Sequence, residues 1–360
     1  MNERSPETAV ILTNGMFETS FAKTAHGLVR GPSRYRVVGI IDNTCVGDDA
    51  GELLDGRQRG IPVFKSVTKM LEETDSRPDY CVIGVATSGG AMPPELRKDL
   101  VDAAQAGISL VNGLHQFLAD DQDLVEISQR QGARIIDIRR QRPTAELSYW
   151  TGEVLSLDTP RVAVLGTDCA IGKRTTASLL LEACRDAGLN AQMIFTGQTG
   201  WLQGYPYGFI LDATPNDFVC GELEAAILAC DRETAPDVIF IEGQASLRNP
   251  MGPCGSELIL AGGTRGVILQ HAPAREFFDE LEDLGCCIPP IEEEIHLIRC
   301  LGAEVWAVTL NEEGMTFELA QEARSGLTER LAIPVILPLR DDLGYLVEII
   351  KSNIEPGRAF

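Results

Sequence analysis

Short apolar runs alternate with longer stretches of helical periodicity along most of the chain. In the first part, "TAVILTNG", "YRVVGIID", "IPVF", "DYCVIGVATSGG", "SLVNG" and "RIIDIR" read as buried strands. Between them, "TSFAKTAHGLVRG", "SVTKMLEET", "PPELRKDLVDAAQAG" and "DLVEISQRQG" read as helices. The third opens on prolines and has a glycine just past its end. The acidic stretch "NTCVGDDAGELLDGRQRG", 43–60, reads as a loop. Repeated strand–helix–strand units predict a parallel, doubly wound sheet.

The pattern breaks at "RRQRPTAELSYWTGEVLSLDTP" and resumes at "RVAVLG". It continues through "NAQMIFTGQTG", "DVIFIEGQAS", "GVILQH", "EVWAVTLN" and "IPVILPL", separated by helical stretches such as "TTASLLLEACRDAG" and "DFVCGELEAAILACDRE". The fold class expected is therefore α/β with two doubly wound parallel-sheet domains. The boundaries read as 1–140 for the first domain, 141–160 for a linker and 161–360 for the second.

Composition narrows the function. The net charge is −22 over 360 residues, which argues against bulk binding to nucleic acid or to an anionic membrane. No apolar run approaches a bilayer span. The start "MNERSPETAV" lacks the apolar segment of a signal peptide, so a cytoplasmic location is the expectation. The 10 cysteines include no CxxC pair, and Cys169, Cys184, Cys230 and Cys300 are expected to be small hydrophobes. His296 and Cys300 are one helical turn apart, but no second pair accompanies them, and no metal site is expected.

The chemistry concentrates in "VLGTDCAIGKRTT", Val164 to Thr176. An apolar strand leads into a glycine-containing turn and then a helix, the context a phosphate-binding loop requires. Free N–H groups and the helix dipole favour an anion there. Gly166, Gly172, Lys173, Arg174, Thr175 and Thr176 are the candidate ligand-binding residues. The match to G-x-x-x-x-G-K-[ST] is imperfect. Thr167 stands at the first glycine position, and Arg174 replaces the hydroxyl that binds magnesium. The spacing of Gly166, Asp168, Gly172 and Lys173 resembles the loop of dethiobiotin synthetase. "IEGQAS" resembles the "EG" segment by which that enzyme and its relatives hold magnesium. In an open α/β sheet, the loops at 166–175, 196–204 and 242–246 would meet beyond the strands' carboxyl ends.

Taken together, "AKTAHGLVR" (22–30), "GTDCAIGKRTT" (166–176), "TGQTGWLQG" (196–204), "NDFVCGELE" (216–224) and "IEGQAS" (241–246) resemble the D-glutamate N-acetyltransferase family over essentially the full chain. The resemblance implies a Rossmann-like N-terminal domain and a P-loop C-terminal domain. It also implies acetyl transfer from acetyl-CoA, as co-substrate, to the amine of D-glutamate in D-amino-acid catabolism. A loop that cradles the phosphates of coenzyme A has no γ-phosphate or magnesium to position, which gives Arg174 a reason to be there.

Attack by an amine on a thioester needs a base, for which Glu242, Asp168 and His271 are candidates. It also needs donors for an oxyanion, for which Gln198 and Gln244 are available. A dicarboxylate substrate calls for cations such as Lys23 and Arg139, with Arg30, Arg140, Arg142 and Arg248 in reserve. The expected partner is a small amino acid, with no nucleic acid and no membrane, and a homo-oligomer stays open. Two alternatives remain at this point: an ATP- and magnesium-dependent ligase or kinase, and a non-catalytic nucleotide or CoA sensor.

Overall fold

A computed structural model describes residues 6–45, 49–74 and 77–354. The chain divides into two compact units. One comprises Met1–Arg142 with Gln198–Tyr205, and the other Pro143–Gly197 with Pro206–Phe360.

The first unit carries strands β1 (Thr8–Leu12), β2 (Arg36–Ile41), β3 (Val63–Phe64), β4 (Tyr80–Ile83), β5 (Ser109–Asn112) and β6 (Ile135–Asp137). They form one parallel sheet in the order β3-β2-β1-β4-β5-β6, the dinucleotide-fold order. Its helices are α1 (Lys23–Arg30), α2 (Ala50–Asp55), α3 (Val67–Glu73), α4 (Leu96–Gln105) and α5 (Gln122–Gln131). Side-chain caps start three of them: Asp49 on α2, Ser66 on α3 and Asp121 on α5. The acidic stretch 43–60, expected as a loop, therefore contains a helix. At six residues α2 is too short to show a periodic apolar face, and its signals are the Asp49 cap and the left-handed Gly56 after its end. Residues 46–48 of that stretch lie outside the described residues.

The second unit carries β7 (Arg161–Gly166), β8 (Ala191–Phe195), β9 (Tyr207–Gly208), β10 (Val238–Glu242), β11 (Gly266–His271), β12 (Glu304–Leu310) and β13 (Val335–Ile336). Their order is β13-β12-β11-β7-β10-β8-β9, again parallel. Every residue of β7 and of β10 is buried, as expected for strands covered on both faces. Side chains such as Phe240 and Ile241 each contribute about 1.5–3 kcal/mol by leaving water. Helix α6 (Lys173–Asp186) follows β7. The remaining helices of this unit are α8 (Asn216–Thr234), α9 (Ser256–Leu260), α10 (Ile291–Cys300), α11 (Phe317–Leu331) and α12 (Gly344–Ile354). The chain leaves β7 for β8, and later fills one side of β7 with β10 and the other with β11. The loop after β7 thus sits where strand order reverses, the usual place for a ligand in such sheets.

Helix α7 (Gln198–Leu202) lies in the second sequence half but belongs to the first unit. Leu202 joins that unit's core with Ile11, Phe17 and Leu28, and Arg34 stacks on Trp201 at 4.1 Å from the ring centre. The segment expected as a linker, 141–160, is held on the second unit from Pro143 onward. Two buried acids of α8 hold it. Glu222 accepts from the Ser148 N–H, and Glu224 from the N–H groups of Thr151 and Val154. No helix among the described residues is long and apolar enough to cross a membrane.

Candidate functional site

The loop between β7 and α6 is built from its own sequence. Gly172, at φ +99°, holds a left-handed conformation that side chains disfavour, and it turns the chain into α6. Gly166 ends β7 where the stem of Lys173 crosses it. A methyl group there would stand 2.9 Å from Lys173 Cδ and from Ile171 Cδ1. Lys173 is buried by this crossing, and its ammonium donates to the Asp168 carbonyl inside the loop.

Asp168 is fully buried, and both its carboxylate oxygens are in use. Oδ1 accepts from Asn249 Nδ2 at 3.0 Å, and Oδ2 from Arg275 Nη1 at 2.9 Å and the Asp279 N–H at 2.8 Å. Arg275 also donates to the Cys169 carbonyl at 2.8 Å. Burial alone would lower the Arg275 pKa, but the hydrogen bond to Asp168 and the charges of Asp279, Asp168 and Glu313 outweigh it and hold the guanidinium protonated. This geometry makes Asp168 a brace between loops. Asp168→Asn removes the most buried of the three acids around this half-buried guanidinium, leaving Asp279 and Glu313, and should cost roughly 1.5–3 kcal/mol, the scale of a hydrogen bond to a charged group. Urea denaturation measures this, and an unchanged midpoint would show that the loop is held without the pair.

The next strand supplies more bracing. Gln270, buried on β11, accepts from the hydroxyls of Thr176 and Thr309, each at 2.6 Å, and its carbonyl accepts the Thr167 N–H at 3.0 Å. His271 Nδ1 lies 3.0 Å from the Thr167 hydroxyl. Desolvation of the ring, with the charge of Arg330 adding to it and Glu292 opposing, lowers its pKa from 6.5 to about 4. The folded ring is neutral at pH 7 and a weak base. The unfolded chain takes up this proton near 6.5, so between 6.5 and about 4 the unfolded state binds more protons and stability falls as pH drops. Below that window both states are protonated and His271 adds nothing further. His271→Gln should remove on the order of 3 kcal/mol of this dependence, read as the wild-type-minus-variant difference in unfolding free energy from pH 7 to pH 4. Parallel curves for the two proteins would refute the assignment.

Glu242 ends β10, in register with Val164 of β7. It is 4% exposed, and its Oε2 accepts the Thr196 N–H at 3.0 Å. Its carbonyl accepts the Thr196 hydroxyl at 2.8 Å, and Gln244 Nε2 donates to that hydroxyl at 2.8 Å. Burial raises the Glu242 pKa. The charge of Arg174 opposes this most, followed by the Thr196 N–H, the charge of Lys173 and the Gly197 N–H. The loop after β7, the start of the 196–204 segment and the "EGQAS" loop thus converge on one sheet edge of this unit.

Thr175 is partly buried on the first turn of α6. Gln198 and Arg139 meet in the first unit, where Arg139 Nη2 donates to Gln198 Oε1 at 3.0 Å and Nη1 donates to the Gly113 carbonyl. Lys23 is exposed at the start of α1. Arg248 is tied to Glu293 at 2.6 Å and Glu294 at 2.7 Å. Cys184 and Cys230 are buried as expected, whereas Cys169 is partly exposed. Cys300 is exposed, because it ends α10 on a solvent face, 3.6 Å from His296. No group of three or more metal-ligating side chains occurs among the described residues. Sequence reading missed Asn249, Gln270 and Arg275. Gln270 had a signal, a polar residue closing an otherwise apolar strand.

The family pattern described as "Domain of unknown function (DUF1611_C) P-loop domain" matches residues 148–347, and its Rossmann-like N-terminal counterpart matches residues 43–141. The chain belongs to the DUF1611 family. A crystal structure of a DUF1611 family protein from Anabaena variabilis is 31% identical, covers 96% of this chain and 100% of its own, and superposes with a TM-score of 0.87. Two curated relatives are named D-glutamate N-acetyltransferase, as the motifs anticipated. The one from Pseudoalteromonas sp is 29% identical over 74% of this chain and 79% of its own length. The one from Tritonibacter scottomollicae is 29% identical over 75% and 80%. The Rossmann-like and P-loop units of the DUF1611 family are the two sheets described above.

Proposed function

We propose that this chain is an amino-acid N-acetyltransferase, moving the acetyl group of acetyl-CoA to the amine of D-glutamate in D-amino-acid catabolism. The observation that carries the reading is Glu242, a buried carboxylate of raised pKa on the same sheet edge as a phosphate-type loop. The names of the two curated relatives support it. Lys173, Arg174 and the N–H groups opening α6 take the phosphates of coenzyme A. Glu242 removes a proton from the substrate ammonium, and the neutral amine attacks the thioester carbonyl. The C–N bond forms, the C–S bond breaks, and the acylated nitrogen releases its second proton to solvent as the neutral amide forms. The departing thiolate recovers a proton from the Glu242 carboxylic acid. A raised pKa suits this role, because it makes the carboxylate a stronger base than an exposed one. Asp168 and His271 serve the loop: the first is held by three donors and the second is a weak base.

The test is release of free thiol from acetyl-CoA by the full chain against a panel of D- and L-amino acids. D-Glutamate should give the highest kcat/KM. Thiol release with none of the panel, or turnover that consumes ATP, would overturn the reading.

A further inference from the structure

The magnesium ion that phosphate loops of the nucleotide-binding type employ does not fit the residues present. Such an ion takes oxygen ligands in near-octahedral geometry, one from the hydroxyl that follows the loop lysine. Here that position is Arg174. The hydroxyl of Thr176, two residues on, already donates to Gln270 Oε1 at 2.6 Å, and Gln270 Oε1 also accepts from Thr309 at 2.6 Å. Glu242, at the strand end where a metal-binding acid would sit, has Oε2 engaged by the Thr196 N–H at 3.0 Å. Glu242 also feels the positive charges of both Arg174 and Lys173, the former more strongly. A dication beside it would meet two cations that already act on the buried carboxylate.

We propose that Arg174 takes the place of the divalent cation in this loop, so that the pyrophosphate of the ligand binds without magnesium. The guanidinium is permanently charged and its planar donor fork matches phosphate oxygens, so it supplies both the charge and the geometry that the ion would otherwise provide. Glu242 is then left free of metal, which its use as a base requires. The inference rests on the proposed function in taking coenzyme A as the ligand and Glu242 as the base.

The experiment is calorimetric titration of the full chain with coenzyme A, and separately with ADP, in chelator and in excess magnesium. At least one of them should bind in chelator, with an affinity that magnesium changes by less than about threefold. Arg174→Ser should weaken that binding by about tenfold or more in chelator, and Arg174→Lys, which keeps the charge and loses the donor fork, should weaken it by less. Binding of either probe that tightens about tenfold or more with magnesium would overturn the inference, as would Arg174→Ser with wild-type affinity or the binding of neither probe. If Arg174→Ser does not fold, the wild-type comparison and Arg174→Lys still decide it. Binding of ADP alone in chelator keeps the inference and removes the acetyltransferase reading. Acetyl transfer that depends on magnesium does the reverse.

Discussion

Glu242→Gln should lower turnover by about a hundredfold or more, the scale of a lost general base. The amide keeps the shape and an acceptor for the Thr196 N–H, but it cannot take a proton. Burial that raises the carboxyl pKa means that removing the charge relieves desolvation, so the variant should unfold no more easily than wild type. Coenzyme A affinity should change little, because the proposed phosphate contacts lie with the loop. The wild-type kcat/KM profile should fall on its acid side above the ordinary carboxylate range, since the base form is lost as pH drops through the raised pKa. That limb should vanish in the variant. Steady-state kinetics from pH 5 to pH 9 (about two units either side of neutrality) checks both points. Full turnover in a folded Glu242→Gln protein would remove the residue from the mechanism.

Lys173→Ala should weaken coenzyme A binding by roughly 10- to 150-fold, the equivalent of about 1.5–3 kcal/mol for one charge-assisted hydrogen bond. The lysine is buried and its ammonium is bonded to the Asp168 carbonyl, so the substitution also loosens the loop from within. The two effects separate by measurement. Titration reports the affinity, and thermal unfolding reports the loop. Unchanged affinity in a folded variant would show that the loop does not hold phosphate.

The two sheets were legible because each strand is an apolar run bounded by turn residues, as in "RVAVLG" and "DVIFIEG". The short helix α2 was not, since six residues carry too little periodicity to stand out from an acidic loop. The membership of α7 in the first unit was also invisible. Leu202 and Trp201 find their apolar partners on elements distant in sequence, and local pattern holds no record of that. At the site, Glu242, Gly172 and Lys173 could be read because strand–turn–helix context and strand ends define the ligand edge. The brace could not. Asp168 has the look of a reactive acid in a loop, and only the structure places Asn249, Arg275 and the Asp279 N–H around it. The partners come from loops after other strands, which spacing along the chain does not bring together.

Identification of the product by mass spectrometry, after incubating the full chain with acetyl-CoA and D-glutamate in chelator, tests the central claim most directly. The expected product is glutamate bearing one acetyl group on its nitrogen, formed with free coenzyme A and without ATP or added metal. Unmodified glutamate with intact acetyl-CoA, or an acylated product that forms only when ATP is supplied and consumed, would contradict it.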